Sequence, residues 1–392
     1  MRPLAKLSCV NIVIFGVLYA PQSILNAISL NYEVSTSLAS LFMTLSFLVL
    51  AASPFLVTPF IANLQPQKIL NFCLLGLALT SLILAFVQSF SVVLAIRAVQ
   101  MMFLPPAIAA LLPLFVNTGT EAKKSVAIYT ATGIAGGALS RIFSSTIIYF
   151  SSLQYVDLSM SLLLFLSFLL MVFSDIETDI ASKPSPTFNL KLISSALGDK
   201  LLMKCYMALF LLFGSLMALL TYLPLRILEI NQGASSILIG IMYAGYLAGV
   251  ASAYWNNRIV GFLGTEKKSL NCCGAIFALS MLACWSSNFA ILFLAIFLSC
   301  GAMIFMQSLL VSYINRFAHN SVAANSLFVA FYFSGASVGS FLPGMFYPES
   351  GWSIIIAICV VSICLGALFT MKIFNDERLR PGHTKDSLQE TG

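Results

Sequence analysis

Charge is the scarcest commodity in this chain. Of its 392 residues only 9% are Asp, Glu, Lys or Arg, against 59% apolar ones, and the mean hydropathy of +0.97 lies outside the usual range of soluble domains. Water is therefore not its main solvent. Polar stretches long enough to enclose a core of their own are also missing, which argues against an appended nucleotide-binding or catalytic domain. Histidine is nearly absent: His319 and His383 are the two, and both fall outside the apolar runs. No Asp or Glu is expected inside an apolar run either, so the acid and base constellation of a membrane-embedded hydrolase is lacking and no enzyme is expected. The nearest approach to a phosphate-cradling loop, GFLGTEKKS from Gly261 to Ser269, lacks the second glycine before its lysine. The nine cysteines are odd in number and have no metal-ligand spacing, so they read as reduced, packed thiols. No metal and no cofactor are expected.

What the chain does have is long apolar runs of about 20 residues without strand-like alternation, which read as membrane-spanning helices and exclude a barrel. Twelve spans are expected, at roughly 7–29, 36–60, 68–87, 91–114, 124–148, 156–174, 203–226, 235–255, 269–286, 289–312, 322–346 and 352–374. The first resembles a signal peptide behind Arg2 and Lys6 but is too long for one, and is expected to stay in the mature protein.

The chain also repeats itself. LYAPQSIL from Leu18 returns as TYLPLRIL from Thr221, so that Tyr19, Pro21, Ile24 and Leu25 match Tyr222, Pro224, Ile227 and Leu228 at an offset of 203. Tyr129, Gly136, Leu139 and Phe143 match Tyr332, Gly339, Leu342 and Phe346 at the same offset. A duplicated unit of about 200 residues with an even number of spans gives two parallel halves. The expected organisation is a six-helix bundle over 1–174, a linker over 175–202, a second six-helix bundle over 203–374 and a tail over 375–392. Tyr19 is expected to overlay Tyr222, and Gly136 to overlay Gly339.

Placing the N-terminus in the cytoplasm puts every Lys and Arg on that side except Arg97, Arg141 and Arg226, as the positive-inside rule demands. Both termini are then cytoplasmic. The net charge of +6 is the mark of this asymmetry and calls for no nucleic-acid partner. The partners expected are the lipid bilayer, a small-molecule substrate and a proton as coupling ion.

Glycines four apart, Gly133 and Gly137, Gly245 and Gly249, and Gly335 and Gly339, mark helices that approach others closely. Arg97 to Gln100 resembles the Arg-x-x-Gln signature of the major facilitator superfamily, and Gly133, Gly136, Gly137 and Arg141 resemble the glycine-rich antiporter motif of its bacterial sugar, nucleoside and drug efflux permeases. Tyr332 to Gly344 is similar to the eleventh span of that group. The resemblance implies an all-α membrane protein of twelve helices in two parallel bundles, a secondary transporter of the inner membrane that exports a metabolite, siderophore-like compound or drug by alternating access. The chain departs from the family where Ala62 and Asn63 stand in the loop after the second span, with Lys68 the remaining charge there. After the eighth, Asn256, Asn257 and Arg258 keep the base without the acid. An importer of the same fold, or a non-transporting membrane receptor or enzyme, are the alternatives.

Arg97 and Arg141 are the sharpest signal, because a guanidinium at bilayer depth costs about 3 kcal/mol. At one depth, the two are candidates to bind a single anionic substrate; the alternative is that they serve carbonyls freed near Pro105 and Pro106. Tyr19, Gln22, Gln100, Tyr206, Gln307 and Tyr332 complete the candidate substrate-binding set. Pro21, Pro224, Arg226 and Glu33 are the candidate gate, since proline lets a helix end bend. Glu33 and Glu229 sit in matching loops where either can pair with Arg226, and Glu33 is the candidate proton carrier if burial raises its pKa.

Overall fold

The structure is a computed structural model that describes residues 3–56, 64–118, 120–174 and 190–374. Among the described residues, ten helical stretches are long and apolar enough to cross a bilayer. One of them, Ser321–Ile373, is 53 residues long and holds two spans, separated at Gly351, whose φ of 58° and ψ of −150° break the helix. One further span, Glu266–Ala283, carries Glu266, Lys267 and Lys268 in its first turn. Twelve spans result: Pro3–Asn31, Thr36–Leu56, Pro66–Leu84, Phe90–Val116, Ala122–Phe150, Leu153–Val172, Lys200–Ile230, Ser236–Tyr254, Glu266–Ala283, Phe289–Phe317, 321–350 and 352–373. The face at which the first begins and the twelfth ends is here the terminal face; the other is the distal face.

Local chemistry sets the ends. The carboxylate of Asp199 accepts from the amides of Leu201 and Leu202 and starts the seventh span; Asn288 and Asn320 cap the tenth and eleventh in the same way. Gly264, with φ of 87°, ends a short helix Asn256–Leu263, and Thr265 then caps the ninth span, so the stretch that superficially resembled a nucleotide loop is a helix-to-helix corner. A short helix Leu190–Gly198 occupies part of the expected linker. The remainder of that linker, the tail from Asn375, and Ala62 and Asn63 lie outside the described residues.

The repeat register differs from the one the sequence match suggests. The first and seventh spans end at Asn31 and Ile230, the third and ninth at Leu84 and Ala283, and the fourth and tenth begin at Phe90 and Phe289, each an offset of 199. Side-chain contacts keep the same count: Ser23 Oγ donates to the Arg141 carbonyl at 2.8 Å, and Tyr222 Oη to the Ser340 carbonyl at 2.7 Å. Gly136 abuts the backbone of Ile12 and Gly335 that of Phe210, glycines 199 apart on partners 198 apart. Tyr222 thus corresponds to Ser23, not to Tyr19, and Gly136 to Gly335, not to Gly339. The slip is four residues, about one helical turn, which leaves the matched residues on the same face.

The glycine pairs bring spans together within each half. A side chain at Gly133 or Gly137 would meet the rings of Phe15 or Tyr19 on the first span, and one at Gly245 or Gly249 the backbone of Phe297 or the side chain of Ile304 on the tenth. At Gly335 and Gly339 the obstacles are the carbonyls of Phe210 and Gly214 on the seventh. Between halves, the second span packs on the eleventh, the fifth on the eighth and the first on the seventh. The hydrogen bonds that join the halves run from the distal face to mid-depth: Ser37 Oγ to the Gly344 carbonyl, Gln22 Nε2 to Thr221 Oγ1 and Met217 Sδ, Tyr243 Oη to the Gln22 carbonyl, and Ser337 Oγ to the Thr44 carbonyl. Among the described residues, none joins them on the terminal side of Thr44 and Ser337. The halves are held shut distally.

Candidate substrate path and gate

Two of the spans abandon α geometry where they meet. In the first, Ala20–Ile24 is a 3-10 segment with Pro21 near its start; in the eighth, Tyr243–Leu247 is another. Tighter winding turns Gln22, Tyr243 and Tyr246 onto the same point, and that point is the guanidinium of Arg141 on the fifth span. Arg141 is fully buried. Its Nε and Nη2 donate to Gln22 Oε1 at 2.9 and 2.5 Å and its Nη1 to the Gly137 carbonyl at 2.8 Å. The rings of Tyr19, Tyr246 and Tyr243 face it at 4.5, 4.7 and 5.3 Å, each such contact contributing roughly 0.5–2 kcal/mol. No ion pair to Arg141 exists among the described residues.

From this cage the network crosses the seam. Gln22 Nε2 donates to Thr221 Oγ1 at 2.9 Å, and Thr221 Oγ1 lies 3.1 Å from Ser340 Oγ. In the 199 register, Gln22 corresponds to Thr221 and Arg141 to Ser340. The chain Arg141, Gln22, Thr221, Ser340 is therefore a motif paired with its own repeat. Tyr243 Oη, donating to the carbonyls of Leu220 and Gln22 at 2.6 and 3.2 Å, closes the same junction.

On the terminal side of the cage lies a layer of aromatic rings contributed by both halves. Tyr19 packs on Phe47 and Tyr246, Phe47 stacks on Phe333, and Phe333 meets Phe213 and Tyr332. Phe213 and Tyr332 stack with centroids 3.6 Å apart, and Tyr332 Oη donates to Gln307 Oε1 at 3.0 Å. A positive charge at one end and aromatic faces along the walls suit an organic molecule carrying an anionic group.

Arg97 belongs elsewhere. Its Nε donates to Ser46 Oγ, its Nη1 to Gln100 Oε1 and its Nη2 to the carbonyls of Val17 and Leu18, at 2.9, 2.6, 3.0 and 3.3 Å. It ties the first, second and fourth spans of one half, Gln100 extends the tie to Ser81 on the third, and no partner is shared with Arg141. The two arginines do not form one anion site. The carbonyls Arg97 serves are on the first span, not those near Pro105 and Pro106.

The expectation that no acid lies within a span is wrong at Asp157. It is part-buried, four residues inside the sixth span, and lines a cavity of about 20 Å³ with Arg97, Gln100, Pro21 and Tyr32. Just beyond the first span, Tyr32 feels it: burial first, and the Asp157 charge second, push the phenol up to about 12. The signal available in the sequence was Asp157 itself, within the expected limits of the sixth span.

Other candidates disperse. Tyr206 stacks on Phe331 and donates to the Ala324 carbonyl, joining seventh and eleventh spans away from the aromatic layer. Pro224 sits within a continuous helix, Lys200–Ile230. Arg226 pairs with Glu229 at 3.2 Å, donates to the Trp285 carbonyl at 2.7 Å and faces the Trp352 ring, all within one half. Glu33 is exposed, with φ of 51° at the turn that ends the first span, and no ion pair involves it among the described residues. The tyrosine cage went unforeseen: Tyr243 and Tyr246 come from another half, and nothing in their local sequence points to Arg141.

Two helical bundles meeting on a seam lined by charged and aromatic side chains define a multi-pass membrane protein of transporter type. The chain belongs to the Major Facilitator Superfamily, whose family model matches residues 7–319. It is 24% identical over 359 residues to an uncharacterized MFS-type transporter, YybF, of Bacillus subtilis (strain 168), covering 86% of this chain and 85% of that one. To an uncharacterized transporter of Buchnera aphidicola subsp. Schizaphis graminum it is 21% identical, over 92% of this chain and 88% of that one. Among solved structures, the nucleoside transporter NupG is similar with a TM-score of 0.74 and 12% identity over 96% of this chain and 99% of NupG. The human organic anion transporter MFSD10 (TETRAN) is similar at 0.69 and 14% identity, over 95% of this chain and 99% of that one. A lipid bilayer and a small-molecule substrate are the partners that this family implies.

Proposed function

We propose that this protein is an exporter of small organic anions with an aromatic or other flat apolar part, working by alternating access in a bacterial inner membrane, and that it has no enzymatic activity. The observation that carries the reading is Arg141: a wholly buried cation without a carboxylate partner among the described residues, at the closed end of an aromatic layer shared by both halves. An anion arriving along that layer replaces Gln22 Oε1 as the acceptor for Nε and Nη2. Gln22 is then free of Arg141, the cross-seam bond to Thr221 loses its anchor, and the distal side can open. Arg141 on this reading both recognises the substrate and reports its arrival to the gate.

The distal face is external in this reading. Lys68, Lys204, Arg258, Lys267, Lys268, Arg316 and Lys372 all stand at or near the terminal face, as expected of the cytoplasmic side, and release through the distal gate is then export. The test is counterflow of benzoate, and of a panel of larger aromatic carboxylates chosen by thermal stabilisation of the purified protein, in proteoliposomes. Counterflow that requires Arg141 supports the reading. Retention of flux in Arg141→Gln, or preference for cations, refutes it. Cells expressing the protein should accumulate less of a transported anion than controls; higher accumulation would make it an importer.

A further inference from the structure

The cavity inside the first half is too small for any organic substrate: about 20 Å³ holds about one water molecule, whereas ligand sites run to several hundred. Yet it is lined by two opposite charges that do not pair. Arg97 and Asp157 form no ion pair, and Arg97 spends four of its five N–H groups on Ser46, Gln100 and two carbonyls. Asp157 accepts no hydrogen bond from a described residue. It lies four residues beyond Leu153, the first residue of its span, or about 6 Å below the distal helix end at helical rise. Two unlike charges that line one cavity without direct contact are joined most simply by a water between them.

What makes this more than a stray acid is the opposite wall. Ala20, Pro21 and Ile24 line the cavity, while Gln22 and Ser23, between them in the same 3-10 segment, bond Thr221, Arg141 and Ser144 in the gate. Charge on Asp157 and the position of the gate thus act on one five-residue segment. The other charged or titratable groups at the cavity are Arg97 from the fourth span and Tyr32 after the first; the third contributes the neutral Ser81, and the fifth lines it with no residue, its charges standing at Arg141 in the gate and in its first turn. Tyr32 donates to the Val87 carbonyl at 3.3 Å and stays neutral at physiological pH.

We propose that Asp157 is the proton-binding group of this transporter. One proton from water on the distal side adds to the carboxylate to give the neutral acid and leaves again to water, and the change of charge biases the Ala20–Ile24 segment that carries the gate. The proposal rests on the transport reading above. Its test needs no substrate: infrared difference spectra of the purified full chain in lipid, titrated from acid to neutral pH, together with hydrogen exchange of the peptide spanning residues 19–25. The parent and Glu33→Gln should show a protonated-carboxyl C=O band that titrates, with exchange at the segment changing several-fold over the same range beyond the intrinsic effect of pH. Asp157→Asn should lack one component of the band, among those of the 14 Asp and Glu, and the pH dependence of the segment, and Asp157→Glu should restore both with that component shifted, which guards against a variant that merely fails to fold. A carboxyl band with no component missing in Asp157→Asn, or segment exchange that keeps its pH dependence there, overturns the assignment. Failure of the transport reading looks different: the band titrates as expected, but the parent shows no counterflow of benzoate or of any other aromatic carboxylate.

Discussion

At corresponding positions the two halves carry opposite chemistry. In the 199 register Arg97 faces its counterpart Ile296, Arg141 faces Ser340, Asp157 faces Ile356 and Gln22 faces Thr221. The first half thus buries two guanidiniums and part-buries a carboxylate; the second fills the same places with apolar or neutral residues and still builds the same six-helix packing. The fold does not require these charges. Since each buried cation costs about 3 kcal/mol on insertion scales, what retains them is to be sought in the working cycle, and the second half serves as the uncharged control that nature has already made.

The largest effect should come from Arg141→Gln. Losing its charge-assisted bonds, at about 1.5–3 kcal/mol each, should lower benzoate counterflow about 100-fold, whereas Ser340→Ala, at the matching place, should stay within about threefold. Equal losses would break the comparison. Packing should behave symmetrically instead: Gly136→Leu and Gly335→Leu both drive a side chain into the backbone of the preceding half-mate, and each should destabilise by about 1–3 kcal/mol or more, read as matching drops in unfolding temperature in detergent. A smaller asymmetry is expected across the seam. Gln22→Leu strips Arg141 of the single oxygen that accepts two of its hydrogen bonds and should cost about 1.5–3 kcal/mol, while Thr221→Val removes neutral bonds worth about 0.5–1.5 kcal/mol; hydrogen exchange at residues 19–25 ranks the two. The smallest effect is assigned to Glu229→Gln, whose partly exposed pair with Arg226 should contribute no more than about 1 kcal/mol, with flux close to that of the parent.

Much of the fold was legible because a bilayer allows few solutions. Length and hydropathy alone place the spans, and the recurrence of Tyr-x-Pro announces two halves. The register failed for a reason built into helices: a four-residue slip keeps every side chain on its face, so local identity between Tyr19 and Tyr222 competes with the true correspondence of Ser23 and Tyr222, which only helix ends and hydrogen bonds reveal. The site was legible as single residues and illegible as a constellation. Arg141, Gln22 and Tyr19 stood out as costly or polar residues in apolar runs, but Tyr243 and Tyr246 meet them through packing of the fifth span on the eighth, which no local pattern encodes. Asp157 was overlooked because it stands four residues inside a span end, where an acid reads as belonging to a loop. Of the two acids that could pair with Arg226, it is Glu229, three residues away on the same helix, that does so.

The two 3-10 segments around Arg141 also carry a mechanical consequence. A 3-10 helix rises about 2.0 Å per residue and an α-helix about 1.5 Å, so each five-residue segment, Ala20–Ile24 and Tyr243–Leu247, holds about 2.5 Å of axial length that rewinding to α geometry would take up. Rewinding also rotates whatever lies beyond it, because 3.0 residues per turn becomes 3.6. Shortening and rotation come together, as in a screw. The latch between the halves can therefore be undone by a quarter-nut turning on its own thread, with the bundles that carry it standing still.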